Sequence, residues 1–249
     1  MHTQLKKIVA VAGLVALALT GADAQVVAQW NFNSPALPGG LRNYGPDAYL
    51  PATIAPGFST DGLTRGSGVV TNQYSGMAKA WGGYHFAESS PAAAATGGDY
   101  YAFSLSRDTA APLSVKGIKT TLYRSNTGPT NALWQYRLAG AANWQDMGGT
   151  VNLAGSGSVS VLCDLDTSGI AGLQNIASSV TFRLVAWGGG GSSGTYPYGT
   201  LYFDGQRTRP TFTVYGTVNA VIPEPATGLL LCAGAALLAA THRTRRRKS

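Results

Sequence analysis

The side chains that could carry chemistry in this chain are few, and their spacing limits what each can do. His85 is the only histidine between residues 25 and 218, so a metal site needing several imidazoles cannot be assembled there. A serine nucleophile could take His85 as its base. However, Gly155-Ser156-Gly157-Ser158 lies one glycine out of register with the Gly-x-Ser-x-Gly elbow and reads as a flexible loop. Glycoside hydrolysis needs two carboxyl groups facing one another across a cleft. The same stretch holds Glu88 and eight aspartates, and nothing in their spacing marks a pair. The chain is therefore expected not to be an enzyme and to need no cofactor, with a secreted glycan-active hydrolase kept as a second alternative.

Two further segments invite a chemical reading. Asp164-Leu165-Asp166-Thr167-Ser168-Gly169 sets oxygen atoms at alternate positions before a glycine, like the first half of a calcium loop. Its twelfth position is Asn175 where a bidentate glutamate belongs, and no helices flank it. The segment reads as an acidic turn capping a short helical stretch, and no metal site is assigned. Cys163 is the only cysteine of the body, because Cys232 lies in the apolar tail. It has no partner for an internal disulfide and is expected to be a buried small hydrophobe.

Binding is better supplied than catalysis. Two aromatic clusters fall where loops are expected: Trp81 with Tyr84, and Trp187 followed by Gly188 to Gly191, Tyr196 and Tyr198. Planar rings stack on sugar faces, and loops on a rigid scaffold commonly carry binding. These five residues are the candidate glycan-binding set. The competing reading is packing, because Trp30, Trp134 and Trp144 stand in or beside expected strands.

The elements that must position such residues are short β-prone runs separated by Gly, Pro, Ser and Asn. Strands are expected at Val26 to Phe32, Tyr100 to Leu105, Gly117 to Tyr123, Leu133 to Leu138, Ser158 to Leu162, Val180 to Trp187, Thr200 to Asp204 and Thr211 to Val218. Thr181-Phe182-Arg183-Leu184-Val185 and Thr211-Phe212-Thr213-Val214-Tyr215 alternate in polarity, the pattern of a half-buried antiparallel sheet. Only Leu173 to Ser178 reads as a helical turn. This organisation predicts an all-β fold: a single antiparallel two-sheet β-sandwich of jelly-roll type over residues 25–218.

Both ends are read apart from that body. Lys6 and Lys7 precede an apolar stretch from Ile8 to Leu19, and Ala22-Asp23-Ala24 presents small residues at both positions that a signal peptidase reads. Residues 1–24 are the expected signal peptide. Residues 219–249 carry Pro223-Glu224-Pro225, a fifteen-residue uncharged run from Ala226 to Ala240, and then Arg243, Arg245, Arg246, Arg247 and Lys248. The prolines keep the motif extended and let a helix start only after it. Fifteen residues span roughly 22 Å as a helix, short of a bilayer core of about 30 Å, so the run suits a transient transmembrane anchor. The basic end holds the C-terminus on the cytoplasmic side and leaves the body outside. With those ends set aside, the formal charge of +7 shrinks to +2 for the body. No basic stripe of the kind that neutralises several phosphates remains, which argues against nucleic acid as a partner.

In motif, order and charge, residues 219–249 resemble the PEP-CTERM sorting tail of exported Gram-negative bacterial proteins. The resemblance implies passage through the inner membrane, transient anchoring, and processing by a membrane-embedded exosortase that recognises Pro223, Glu224 and Pro225. It further implies a final place at the cell surface or outside the cell. A second resemblance covers most of the body from Trp30 to Gly216. Asp99-Tyr100-Tyr101-Ala102-Phe103, Leu122 to Pro129, Gln135-Tyr136-Arg137, Val180 to Leu184 and Gly199 to Asp204 stand in the order of jelly-roll ectodomains attached to many PEP-CTERM proteins. Those ectodomains resemble carbohydrate-binding and lectin-like sandwiches and have no assigned activity. Two readings follow. In the main one the body is a structural or adhesive protein of an exopolysaccharide matrix or biofilm; the alternative is a lectin-like glycan-binding module.

Overall fold

The computed structural model describes residues 23–32, 47–71, 80–108, 112–155, 159–190, 200–204 and 212–218. The expected membrane run, the Pro-Glu-Pro motif, the basic end, Ala22, Tyr196 and Tyr198 lie outside these residues; Ala24 is described and exposed. Among the described residues no helix is long and apolar enough to cross a membrane.

The described residues form fourteen strands: β1 (Gln25–Trp30), β2 (Thr53–Ile54), β3 (Phe58–Ser59), β4 (Thr64–Arg65), β5 (Ala80–Tyr84), β6 (Tyr100–Arg107), β7 (Leu113–Arg124), β8 (Asn131–Leu138), β9 (Gln145–Asp146), β10 (Val151–Asn152), β11 (Val159–Asp166), β12 (Val180–Trp187), β13 (Thr200–Asp204) and β14 (Phe212–Val218). They form two seven-stranded antiparallel sheets. The first runs β2-β1-β14-β7-β13-β5, with β11 on the other edge of β7; the second runs β10-β8-β12-β6-β3, with β4 also on β6 and β9 on β8. The expected antiparallel two-sheet architecture is what the chain adopts.

Alternation along the strands explains the layering. On β12, Phe182, Leu184 and Ala186 join the core between the sheets, whereas Thr181, Arg183, Val185 and Trp187 fall on the opposite face. Aromatic rings bridge the sheets. Trp30 of β1 meets Phe103 of β6 edge-on at 5.1 Å, and Phe212 of β14 meets Phe103 at 5.3 Å. Tyr101 adds a polar tie: its hydroxyl donates to the Leu201 carbonyl (2.6 Å) and accepts from the Gly83 amide (2.8 Å). Buried aromatics of this kind supply most of the driving force in a sandwich core, and the phenol stays satisfied by linking β5 and β13 to β6.

A helix that the sequence reading did not anticipate covers part of the second sheet. In α1 (Pro91–Gly97), Ser90 accepts from the Ala93 amide, proline stands at the first position, and Gly98 closes the C-terminus at φ +88° while its amide donates to the Ala94 carbonyl. The helix lays Ala94 and Ala95 on Leu133, Val185 and Trp187. The expected helical turn at 173–178 is instead a 3-10 turn at Ala171–Leu173. Ser114 accepts from the Asn175 amide and Ile176 bridges to Leu113, which draws the following residues toward β7.

Candidate functional site

Two of the nominated aromatics belong to the core, which corrects the expectation that they form a glycan platform. Trp81 lies in mid-strand on β5 and is 0 % exposed. Tyr101 meets its ring edge-on at 5.2 Å and Phe203 stacks at 6.1 Å. The Arg65 guanidinium caps it at 4.1 Å, donating from Nε to the Gly82 carbonyl (2.8 Å) and from Nη1 to Asp47 (2.7 Å). The Gly82-Gly83 pair that suggests a loop is strand, and a side chain at 83 would collide with the backbone of Val70. Trp187 ends β12, 9 % exposed, beneath α1. Tyr84 is half-buried at the end of β5, bridging to Val70.

The glycine run after Trp187 is also fastened rather than loose at its start. Gly188 has φ +79°, its amide donates to the Glu88 carbonyl (2.7 Å), and the Gly189 amide donates to the Phe86 carbonyl (3.0 Å). These glycines serve a left-handed turn and a close backbone approach.

A groove of about 490 Å³ lies on the outer face of the second sheet, beside the patch that α1 covers. Pro91, Ala92 and Ala95 of the helix form one wall; Leu133, Gln135 and Arg183 form the floor. The opposite wall is Asn143, Trp144 and Asp146, carried by the turn that folds β9 back along β8. Strand register aligns the polar floor: Asp146 pairs with Gln135 and Gln135 with Arg183. Their side chains form a hydrogen-bonded row. Gln135 Nε2 donates to Asp146 Oδ1 at 2.7 Å, and Arg183 Nε donates to Gln135 Oε1 at 2.7 Å.

Trp144 is half-buried over this row. The Arg183 guanidinium lies 4.1 Å and that of exposed Arg137 4.7 Å from its ring, with Tyr100 5.5 Å from Arg183. Burial lowers the Arg183 guanidinium from its ordinary pKa and Arg137 pushes the same way, while Tyr100 and Asp146 oppose them. Arg183 nevertheless stays charged. The result is two cations, an amide and a carboxylate on neighbouring strands, with an aromatic ring laid over them by the β8–β9 turn. That set can bind a polar, ring-shaped ligand. Asp146 is the one carboxylate lining the groove, so hydrolysis by a carboxylate pair has no second group there.

Sequence alone does not mark this site, because Trp144 stands beside an expected strand like the packing tryptophans Trp30 and Trp134. Arg183 stands on the polar face of an alternating run, but nothing local indicates that the hairpin lays Trp144 back over it.

The other candidates resolve into structure. Asp164 pairs with Lys119 at 2.7 Å, and Asp166 accepts from the Ser168 amide at 2.8 Å; hydrogen bonding from the Ser168 side chain first, and from this amide second, holds its carboxyl below the ordinary range. The acidic turn thus caps itself; the 3-10 turn that follows has no side-chain cap. Cys163 is buried and unpaired by disulfide, and burial raises its thiol pKa.

No family model matches the chain, and no curated protein matches it. Among solved structures it is similar to a family 29 carbohydrate binding module, with 13 % identity over 83 % of this chain and 98 % of that one at a TM-score of 0.35. It is also similar to a mutant family 29 module complexed with mannohexaose, with 14 % identity over 80 % and 96 % of the two chains at a TM-score of 0.35. Likeness at that level assigns neither a ligand nor a site to this chain.

Proposed function

We propose that this chain is an exported β-sandwich of jelly-roll type that binds glycan in the groove between α1 and the β8–β9 hairpin. The observation that carries the reading is the row Asp146, Gln135, Arg183, hydrogen-bonded end to end beneath Trp144. A sugar offers hydroxyl groups around its rim and C–H bonds on its faces. Planar side chains already fixed on a sheet meet the hydroxyls with little ordering cost on binding, and an indole supplies apolar surface.

The two ends of the sequence support the rest of the reading: removal of residues 1–24 by signal peptidase, exosortase processing at Pro223-Glu224-Pro225, and an adhesive role at the cell surface or in the extracellular matrix. Exopolysaccharide is the ligand such a place supplies. A glycan array with the protein and its Trp144→Ala variant tests the groove. Saturable, competable retention that the variant loses is expected. Retention unchanged in both Trp144→Ala and Gln135→Ala would remove the site and leave the purely structural role. The intact mass of the protein recovered from its host's surface tests the sorting. An end near residues 223–225 is expected, and a chain running to Ser249 would refute processing.

A further inference from the structure

We infer that the groove selects glycans bearing carboxylates, uronic-acid chains being the simplest class, because it presents the open Nη edge of Arg183 beside a second unneutralised guanidinium. This inference rests on the glycan-binding reading above and names its ligand class.

Arg183 sits in the middle of β12 and is 9 % exposed. Its Nε is spent on Gln135 Oε1, and the other end of that amide is spent on Asp146. Gln135 therefore fixes the plane of the guanidinium and leaves both Nη groups without a protein acceptor among the described residues. Arg137, the outward residue two positions along β8 from Gln135, has a ring contact with Trp144 and no hydrogen bond or ion pair among those residues.

The ion pairs of the described residues are Arg65 with Asp47 and Lys119 with Asp164. Asp146, although beside Arg183, is not within ion-pair distance of it. Two cations thus share one indole; Arg137 disfavours the charge on Arg183, and Asp146 favours it only from beyond ion-pair distance. A ligand carboxylate relieves that repulsion.

The geometry suits a carboxylate in particular. A guanidinium whose Nε is occupied still offers two parallel N–H donors from its Nη edge, the fork that matches the two oxygens of a carboxylate. Because Arg183 is nearly buried, its charge is screened less by water and salt than that of a surface arginine. A uronic acid places the carboxylate at the rim of a ring whose face can lie on Trp144, so one sugar engages both features. The body carries a net charge of only +2, so the preference belongs to the groove and not to a generally cationic surface.

The test titrates the full chain with oligogalacturonate and with the same oligosaccharide after reduction of its carboxyl groups, which keeps the ring and linkage and removes the charge. Alginate and glucuronan, each with its reduced form, extend the panel, and a sulfated glucan distinguishes carboxylate from any polyanion. Binding of at least one uronate chain about tenfold or more tighter than its reduced form and tighter than the sulfated glucan is expected. Arg183→Lys should abolish most of that difference while keeping the charge, and Arg137→Ala, at an exposed position, should reduce it about threefold and flatten its salt dependence. Equal or tighter binding of the reduced forms, lost in Trp144→Ala, would overturn the carboxylate preference and leave the glycan reading intact. Uronate binding undiminished in both arginine variants, or a preference for the sulfated glucan, would also overturn it. Failure to bind any member of the panel, charged or neutral, would overturn both.

Discussion

Two tryptophan–arginine stacks of the same dimensions stand in this molecule with opposite consequences. Arg65 lies 4.1 Å from the Trp81 ring, and Arg183 lies 4.1 Å from the Trp144 ring. In the first, the ring is sealed among Tyr101 and Phe203 and the guanidinium is engaged by Asp47 and the Gly82 carbonyl. In the second, the ring forms the wall of a groove and, among the described residues, the guanidinium is hydrogen-bonded by a neutral amide at one nitrogen only. A cation over an indole is therefore not itself a sign of function. What would separate a structural stack from one free to bind, as proposed for Trp144, is whether the remaining donors are already satisfied and whether solvent reaches the ring.

The sharpest way to break this comparison is truncation of the two rings. Trp81→Ala removes a fully buried indole and is expected to cost about 3–5 kcal/mol of stability by denaturant unfolding, in line with large-to-small core substitutions. A loss below about 1 kcal/mol would mean that the site relaxes and the stack is not structural.

Next come the arginines that tie backbone. Arg124 is 3 % exposed and, among the described residues, donates to backbone carbonyls, including Leu153 at 2.5 Å and Gly155 at 2.6 Å. Arg124→Ala strands those acceptors and is expected to cost about 1–3 kcal/mol. The same experiment on Arg65, whose Nε serves Gly82, should give a loss in that range, whereas Arg137→Ala should leave the unfolding midpoint nearly unchanged.

Trp144→Ala is expected to change stability by about 1 kcal/mol or less while weakening glycan binding about tenfold, a difference of about 1.4 kcal/mol in binding. Calorimetry and thermal unfolding of one sample read both quantities. Equal losses in both would dissolve the distinction between the two stacks.

The smallest effect concerns pH. Asp99 is buried and its Oδ2 lacks a partner. Burial raises its carboxyl pKa, with the Glu88 amide and His85 pulling it down. A raised carboxyl pKa means that the folded state holds the proton more tightly than the unfolded chain does. Stability from this group is then greatest below the ordinary carboxylate value of about 4 and falls as pH rises through the raised native value. Asp99→Asn, which cannot ionise, is expected to remove that decline, so the variant gains on the parent as pH rises from about 4 toward neutrality. Parallel unfolding curves across that range would show that Asp99 is not the source.

The eight strands expected from β-prone, alternating runs are all present as β1, β6, β7, β8, β11, β12, β13 and β14, with β12 and β13 at their expected bounds and the other ends moved by at most four residues. Their apolar faces needed no tertiary information, because period-two burial is written into residues such as Phe182 and Leu184. The elements not anticipated are those whose signals are weak or contradictory alone. Gly82-Gly83 made β5 look like a loop, and the alanine run of α1 has no polar stripe to mark a helix, although Ser90-Pro91 and Gly97-Gly98 are serviceable start and stop signals. For the candidate site, the sequence directed attention to aromatic rings that the structure places in the core or beneath the helix. Trp81 and Trp187 stand next to glycines for the sake of close backbone packing, not exposure.

By itself, then, the sequence determined the strand-rich body, the single unpaired Cys163, the near-neutral charge of residues 25–218 and the order of motifs at both ends, since each follows from residue identity and local spacing. Only the tertiary structure decided which tryptophans are core and which one faces a groove. It alone placed Asp146, Gln135 and Arg183 in one row, because that alignment depends on the register of three strands and the direction in which the hairpin after β8 folds back. Neither is a property of any short stretch of chain.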